Sequence, residues 1–330
     1  MGVIQVQEPG FFTTVQDLGR EGFAPLGVSA SGAGDAISLR LGNRLVGNVE
    51  GAAGLEMMLL GGTFVFPEGA LLALTGSDFG ATLDGEPAEL WTAFAAKPGQ
   101  TLRLGPTRSG ARCYLCVRGG IAVESFLGSA STHILSGLGG FAGRALRKGD
   151  VLDIGSTIGL TQKGKLSARA VKTVEPRKVL RVTPGPQSDW FDEASHRMFY
   201  GSTYRVAEDS NRMGLRLEGV AIPMPHDGAW EEETGRNACP TRGGGSMVSE
   251  GVALGAIQVP EGGLPIILFV EQQTTGGYPK IANVISADFH SLGQLRPRDE
   301  IRFERVAWGT ARFLLKEQEE LMAAGEFIFE

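Results

Sequence analysis

One stretch of the chain concentrates side chains suited to recognition chemistry. Ser249-Glu250-Gly251 is followed by Gly255-Ala-Ile-Gln258-Val-Pro260, and then by Glu271-Gln-Gln273-Thr274-Thr275-Gly276-Gly277-Tyr278-Pro-Lys280. Amide, hydroxyl and phenol groups crowd a double-glycine turn at the end of an apolar run, with a carboxylate before it and an ammonium after it. Gly276 and Gly277 allow the backbone to come close to a bound molecule. A loop held by a rigid strand is the usual seat of binding groups. The plainer alternative is a hairpin whose Thr and Gln satisfy only their own backbone.

Other polar sets accompany it. Thr13-Thr-Val-Gln16-Asp17-Leu-Gly-Arg20 opens the chain, and Asp35 after Ser31-Gly-Ala-Gly is placed to cap a helix. Arg118-Gly119-Gly120 goes with Gly128-Ser129-Ala-Ser131-Thr132 and Gly143-Arg144, and a fourth set is Asn211-Arg212-Met-Gly214-Leu-Arg216-Leu-Glu218-Gly219.

Several familiar signatures fail. Cys113-Tyr-Leu-Cys116 has the spacing of a zinc or redox pair, but it reads as a strand, where residues three apart face opposite ways, so two buried small hydrophobes fit better. Gly159-Leu-Thr-Gln-Lys-Gly164-Lys165-Leu166 lacks the hydroxyl residue that a phosphate-binding loop uses to hold magnesium. The glycines from Gly137 to Gly143 lack the strand–helix context of a dinucleotide site. His133, His196, His226 and His290 lie too far apart for a metal spacing, so no metal site is expected. No Gly-x-Ser-x-Gly elbow occurs.

Elements that position these groups are short strands. Apolar runs at 71–74, 112–117, 179–182, 255–259, 266–270 and 281–285 are separated by Gly or Pro, an all-β pattern. One phrase recurs: Lys97-Pro-Gly-Gln, Arg147-Lys-Gly-Asp and Arg296-Pro-Arg-Asp each precede an alternating strand, which suggests two β modules of similar build. Between 161 and 178 the chain turns basic and loses aromatics, the best linker candidate, read as a solvated connection rather than an anion site. Three helices are expected. One, 35–46, has a stripe of Ile37, Leu41 and Leu45; another, 190–200, is capped by Ser188 or Asp189 with Phe191, Ala194 and Met198 on one face; the last covers 310–324 before an acidic tail.

Composition bounds the rest. With 330 residues, about two domains are expected. A net charge of -6 argues against nucleic acid and anionic membrane as partners. The 49 glycines show no three-residue period, and 42% hydrophobic residues suffice for a core, so the chain is neither collagen nor disordered. Three cysteines suit a reducing compartment, and no signal peptide or spanning run is apparent, so a cytoplasmic protein is expected.

The ordered motifs carry a resemblance. Gln16-Asp-Leu-Gly-Arg20, Gly42-Asn-Arg-Leu-Val-Gly-Asn48, Val117-Arg-Gly-Gly-Ile121, Leu127-Gly-Ser129 and Gly139-Gly-Phe-Ala-Gly-Arg144 come first, and Asn211-Arg-Met-Gly-Leu-Arg-Leu-Glu-Gly219, Gly255-Ala-Ile-Gln-Val-Pro260 and Gln273-Thr-Thr-Gly-Gly-Tyr278 follow. Their order resembles the biotin-dependent carboxyltransferase-like family, also called allophanate hydrolase subunit 2, KipA or the C-type subunit of 5-oxoprolinase. The resemblance implies a mainly β fold of two cyclophilin-like β-barrel domains with a few packing helices, here 1–165 and 179–330 joined by a linker at 166–178.

It also implies an amide hydrolase subunit that works with a KipI-type partner, the B-type subunit, and a LamB/YcsF-type partner, the A-type subunit. Such a complex splits 5-oxoproline to glutamate with ATP and Mg. Two alternatives follow from the same family: a KipA-type regulator that antagonises a KipI-type kinase inhibitor, and a carboxyltransferase-like subunit whose substrate is urea or allophanate. No Met-Lys dipeptide of a biotin acceptor is present, so no biotin attachment site is expected on this chain. The expected cleft takes Glu271, Lys280 and Asp17 as catalytic groups. Gln16, Arg20, Arg118, Glu250, Gln258, Gln273, Thr274, Thr275, Gly276, Gly277 and Tyr278 are its expected substrate-binding groups. Glu271 stands where relatives tend to carry Asp, and 225–247 reads as an inserted surface loop.

Overall fold

The computed structural model describes residues 2–156, 164–223 and 247–324. The expected loop at 225–247 and the acidic tail therefore lie almost wholly outside the described residues, as does most of the phosphate-loop-like run at 159–166.

Twelve strands build the first half: β1 (Val3–Glu8), β2 (Phe12–Gln16), β3 (Gly54–Met58), β4 (Thr63–Phe66), β5 (Ala70–Gly76), β6 (Thr82–Leu83), β7 (Glu86–Pro87), β8 (Ala93–Ala96), β9 (Gln100–Arg103), β10 (Arg112–Val117), β11 (Ile121–Ala122) and β12 (Val151–Ile154). They form two sheets, ordered β11-β12-β1-β4-β9-β6-β7 and β2-β3-β10-β5-β8. Both sheets feed one core, in which Ile4, Phe64, Phe66 and Leu102 of the first meet Val15, Leu55, Leu74 and Leu115 of the second. Each such side chain contributes about 1.5–3 kcal/mol by leaving water. Cys113 points into this core, while Cys116 points out to a second cluster, as the strand period requires.

That second cluster belongs to α1 (Ala36–Leu45), capped by Asp35, whose Leu39, Leu41 and Leu45 cover the outer face of β5 and β10. The basic connection is not simply a solvated one: α2 (Ala168–Thr173), capped by Ser167, buries Ala170 beside Leu166 and Val174 in the same cluster. Its basic side chains occupy the outer face because the periodic small and apolar positions turn inward.

The second half closes into a barrel of β13 (Val179–Pro184), β14 (Tyr204–Val206), β15 (Gly214–Glu218), β17 (Ala256–Gln258), β18 (Ile266–Leu268), β20 (Lys280–Val284) and β21 (Glu300–Arg305). A two-stranded ribbon pairs β16 (Glu250–Gly251) with β19 (Thr275–Gly276). Helix α3 (Glu193–Gly201) starts at Asp192, whose carboxylate accepts from Ser195 N at 2.7 Å; the expected caps Ser188 and Asp189 lie instead in a preceding 3-10 turn. Its buried face is Ser195 and Phe199, not Ala194 and Met198, because the later start rotates the stripe by one residue.

The recurring phrase is one recurring turn. In each copy the fourth side chain accepts from the first backbone N–H (Lys97 to Gln100 at 2.8 Å, Arg147 to Asp150 at 2.7 Å, Arg296 to Asp299 at 2.7 Å), and the fourth backbone N–H returns a bond at 3.1 Å each time. The turns launch β9, β12 and β21.

The halves are packed against each other by α4 (Phe289–Gly293) and α5 (Trp308–Ala323). A Cβ on Gly293 would collide with Gly34 O, and the Gln294 amide is inserted among Ser77 Oγ, Asp35 Oδ2 and the Arg112 backbone. Arg40 of α1 holds Glu319 of α5 through two bonds of 2.7 and 2.8 Å. Along α5 only Met322 is buried, and Phe313 is 62% exposed. Among the described residues no helix is long and apolar enough to cross a membrane.

Candidate functional site

A buried ionic cluster lies on the seam between the halves. Glu56, from β3, stands opposite Tyr114 of β10 and Thr14 of β2. Its Oε1 accepts from Arg112 Nε at 3.2 Å and Arg212 Nη1 at 2.5 Å, and its Oε2 from Gly34 N and the Tyr114 hydroxyl, both at 2.7 Å. Arg212 crosses the seam: besides Glu56 it donates to Gly32 O at 2.6 Å and, through Nε, to Glu271 Oε1 at 2.5 Å. The Arg112 guanidinium stacks over Phe269, 5.2 Å from its centroid. Burial pushes the Glu56 carboxyl up, but the Arg212 and Arg112 charges with the Tyr114 and Gly34 bonds more than reverse it, leaving its pKa below the ordinary value. Burial, with the Glu56 and Asp35 charges, raises the Tyr114 phenol, which stays protonated as the donor.

Beside this cluster the loop 129–133 is clamped by Asp17. Its carboxylate accepts from Gly19 N (2.8 Å), Ser129 Oγ (2.6 Å), Ser131 Oγ (2.5 Å) and Ala130 N (2.6 Å). Asp17 thus serves as a scaffold for this loop. Gly139 and Gly140 are required here: both have left-handed φ, and a Cβ would collide with Ser131 O at the first or Thr132 Oγ1 at the second. The neighbouring loop therefore presses directly on 131–132.

Two buried groups packed against this loop are left incomplete. Gln16 Nε2 donates to Thr132 O at 3.1 Å and Thr14 Oγ1 at 3.0 Å, which fixes the amide orientation, and its Oε1 has no partner. Arg20 donates through Nη2 to Ser131 O and through Nε to Phe126 O at 3.4 Å, and its Nη1 has no partner. Burial lowers the Arg20 pKa while the charges of Asp17 and Glu271 oppose the shift, so Arg20 lies within electrostatic reach of Glu271. A backbone bridge makes the same junction: Ser31 N donates to Val270 O at 2.9 Å, and Ser31 Oγ to Thr132 O at 2.8 Å. The site therefore offers an acceptor, a cationic donor and a carboxylate whose second oxygen makes no hydrogen bond among the described residues.

Of the residues expected to meet, the structure brings Gln16, Asp17, Arg20 and Glu271 together. Lys280 is buried elsewhere, its ammonium 2.5 Å from Glu250 Oε1, which also accepts from Gln187 Nε2 at 2.9 Å. The Lys280 bond holds the Glu250 carboxyl below its usual range. Lys280 lines an apolar groove of about 340 Å³ beside α5. Gln258, Gln273 and Tyr278 border a separate cavity of about 280 Å³ at the barrel mouth, with Asn211 and Arg216. Gln258 Nε2 is buried without a partner, and a Cβ on Gly276 would sit 2.5 Å from it. Thr275 and Gly276 pair with Gly251 and Glu250, Thr274 O receives Val252 N, and a Cβ on Gly277 would meet Met247 O at 2.8 Å, so these glycines admit the chain's own backbone and amide. Arg118 stands one residue past the far end of β10, roughly 20 Å along the chain from Arg112.

Sequence reasoning passed over Glu56, Arg112 and Tyr114. A lone carboxylate in Gly54-Leu-Glu-Met-Met58 and a lone arginine opening an apolar strand were the available signals, since charges inside such runs are rarely buried unless paired. Among the described residues no three His, Cys, Asp or Glu side chains group to hold a metal.

Comparison with known proteins agrees with this architecture. The family model described as carboxyltransferase domain, subdomain A and B, matches residues 26–305, which include Glu56, Arg112, His133, Arg212 and Glu271. The chain is 38% identical to the 5-oxoprolinase C subunit of Escherichia coli strain K12 over 91% of this chain and 90% of that one. It is 34% identical to urea amidolyase of Saccharomyces cerevisiae over 96% of this chain but 17% of that larger protein. The crystal structure of the K. lactis urea amidolyase superposes with a TM-score of 0.86 at 30% identity, over 99% of this chain and 21% of that one. With both halves and the seam between them matched, the chain belongs to the carboxyltransferase domain, subdomain A and B, family.

Proposed function

We propose that this chain is the C-type subunit of a cytoplasmic, ATP-dependent 5-oxoprolinase, active in complex with a KipI-type protein as its B-type subunit and a LamB/YcsF-type protein as its A-type subunit. The observation that carries the reading is the 38% identity to the 5-oxoprolinase C subunit across nine-tenths of both chains. The seam suits the substrate chemistry: 5-oxoproline carries a carboxylate for Arg20 Nη1 and a lactam N–H for Gln16 Oε1. Glu271, fixed through Oε1 by Arg212, presents Oε2 as general base to an attacking water.

Amide resonance protects the lactam carbonyl, and ATP relieves it. Phosphoryl transfer from ATP to the lactam oxygen releases ADP and makes the ring carbon electrophilic. Water then adds to that carbon, the ring C–N bond breaks with the amine taking a proton, and a second water hydrolyses the acyl phosphate to glutamate and phosphate.

Purified chain mixed with the A-type and B-type partners, Mg-ATP and 5-oxoproline should release glutamate and ADP in equal amounts. No glutamate above the background of the two partners overturns the reading. Similarity to urea amidolyase favours carboxyl transfer to urea as the second reading. It predicts a carboxylated product only when a carboxybiotin carrier is supplied.

A further inference from the structure

The basic connection between the halves lies against the second barrel at its C-terminal end. There it walls a cavity of about 290 Å³ together with β13, α4 and α5. Lys172, Glu175 and Arg177 come from the connection, Arg181 from β13, His290 from α4 and Gln318 from α5. None of these residues belongs to the seam.

Arg181 is held in one orientation. Its backbone N–H donates to Asp288 Oδ2 at 2.8 Å, its Nε reaches both oxygens of that carboxylate at 3.1 and 3.2 Å, and its Nη2 donates there too. The Asp288 side chain is fully buried, so the fork is fixed, and Nη1 makes no hydrogen bond among the described residues. Arg177 N donates to Ser291 Oγ at 3.0 Å, which ties the connection to α4. Ser291 Oγ keeps its own hydrogen for His290 Nε2, 3.3 Å away, so the ring proton lies on Nδ1. His290 is 5% exposed, and Nδ1 is buried with no partner. Such an unfilled donor is costly unless a ligand completes it.

The side chains of Lys172 and Arg177 are exposed and make no ion pair among the described residues. Three cations thus stand against Glu175 and the paired Asp288, a positive excess on a chain whose net charge is -6. Gln318 Nε2 is used by Ala287 O at 3.0 Å, which leaves Gln318 Oε1 and the Glu175 carboxylate as acceptors on the same wall.

We propose that this cavity binds inorganic phosphate. The ion's negative oxygens suit Arg181 Nη1, His290 Nδ1, Lys172 and Arg177, and at neutral pH it keeps a hydrogen for Glu175 or Gln318 Oε1. Because its partners come from the connection, the barrel wall and two helices, the bound ion ties the connection to the second half. The proposed lactam hydrolysis releases this ion, but the binding argument does not depend on that reaction.

Calorimetric titration of the isolated chain tests the site. Phosphate should bind with a Kd of about 1 mM or tighter, and it should raise the unfolding midpoint above that in sodium chloride of equal ionic strength. Sulfate has the same shape but no hydrogen to donate, and should bind about tenfold more weakly or worse. K172A/R177A, changed only at exposed positions, should weaken phosphate binding about tenfold or more and remove most of the midpoint gain. Side-chain 15N NMR should find the His290 proton on Nδ1, with phosphate shifting that ring and not those of His133 or His196. No binding heat and no midpoint gain beyond sodium chloride overturn the site, as does folded K172A/R177A that binds within about twofold of wild type. Sulfate or AMP binding as tightly as phosphate overturns the assignment to inorganic phosphate. These measurements involve no turnover, so their failure leaves the oxoprolinase reading standing.

Discussion

Two buried polar groupings share the seam, and they differ in how completely their hydrogen-bonding capacity is used. Around Glu56 all four acceptor positions are filled by Arg112, Arg212, Tyr114 and Gly34. A few residues away, Gln16 Oε1 and Arg20 Nη1 are buried without partners. A buried unsatisfied polar atom costs about 1–3 kcal/mol, so a folded chain retains one where something else repays the loss. The filled grouping is architecture that joins the halves; the unfilled one is where the proposed substrate would complete the bonding.

The contrast can be broken from either side. The largest effect is expected at Glu56: E56A removes the carboxylate shared by two buried arginines, and chemical denaturation should show a loss of about 3–5 kcal/mol, as for a buried pair deprived of one partner. Arg20 should behave in the opposite sense. R20A should weaken binding of a carboxylate-bearing substrate by about 10–100-fold, equivalent to about 1.4–2.7 kcal/mol, with a smaller loss of folding stability, read as KM against the denaturation midpoint.

Acid sharpens the distinction. Because the folded-state pKa of Glu56 lies below its unfolded value, its stabilisation is complete above about pH 4.3 and is lost as pH falls through the folded pKa. Acid unfolding of wild type should therefore be steeper than that of E56Q. The smallest effect is expected away from the seam: the Arg40–Glu319 pair, with side chains 19% and 48% exposed, should yield less than about 1 kcal/mol in a double-mutant cycle.

Much of the fold was legible in the residues. The apolar runs at 112–117 and 281–285 became β10 and β20 within a residue or so, and Asp35 caps α1 as its position suggests. These features are local, set by side-chain period and cap chemistry. The cap of α3 was misplaced because Ser188, Asp189 and Asp192 are all good caps, and a 3-10 turn takes up the first two. The packed α2 was missed because its apolar content becomes useful only against the outer face of β5 and β10.

The candidate site was only partly legible. The sequence reading placed Gln16 and Arg20 among the binding groups and Glu271 among the catalytic ones. Only packing showed that Arg212 links Glu271 to Glu56 and that Lys280 is spent on Glu250. Spacing along a chain reports which side chains share a strand face, while the meeting of Arg212 with Glu56 across 156 residues depends on how the two halves dock. The sequence by itself determined the strand pattern, the recurring turns and the family; the tertiary structure decided which polar atoms are satisfied, because that depends on neighbours brought together only when both halves bury their surfaces.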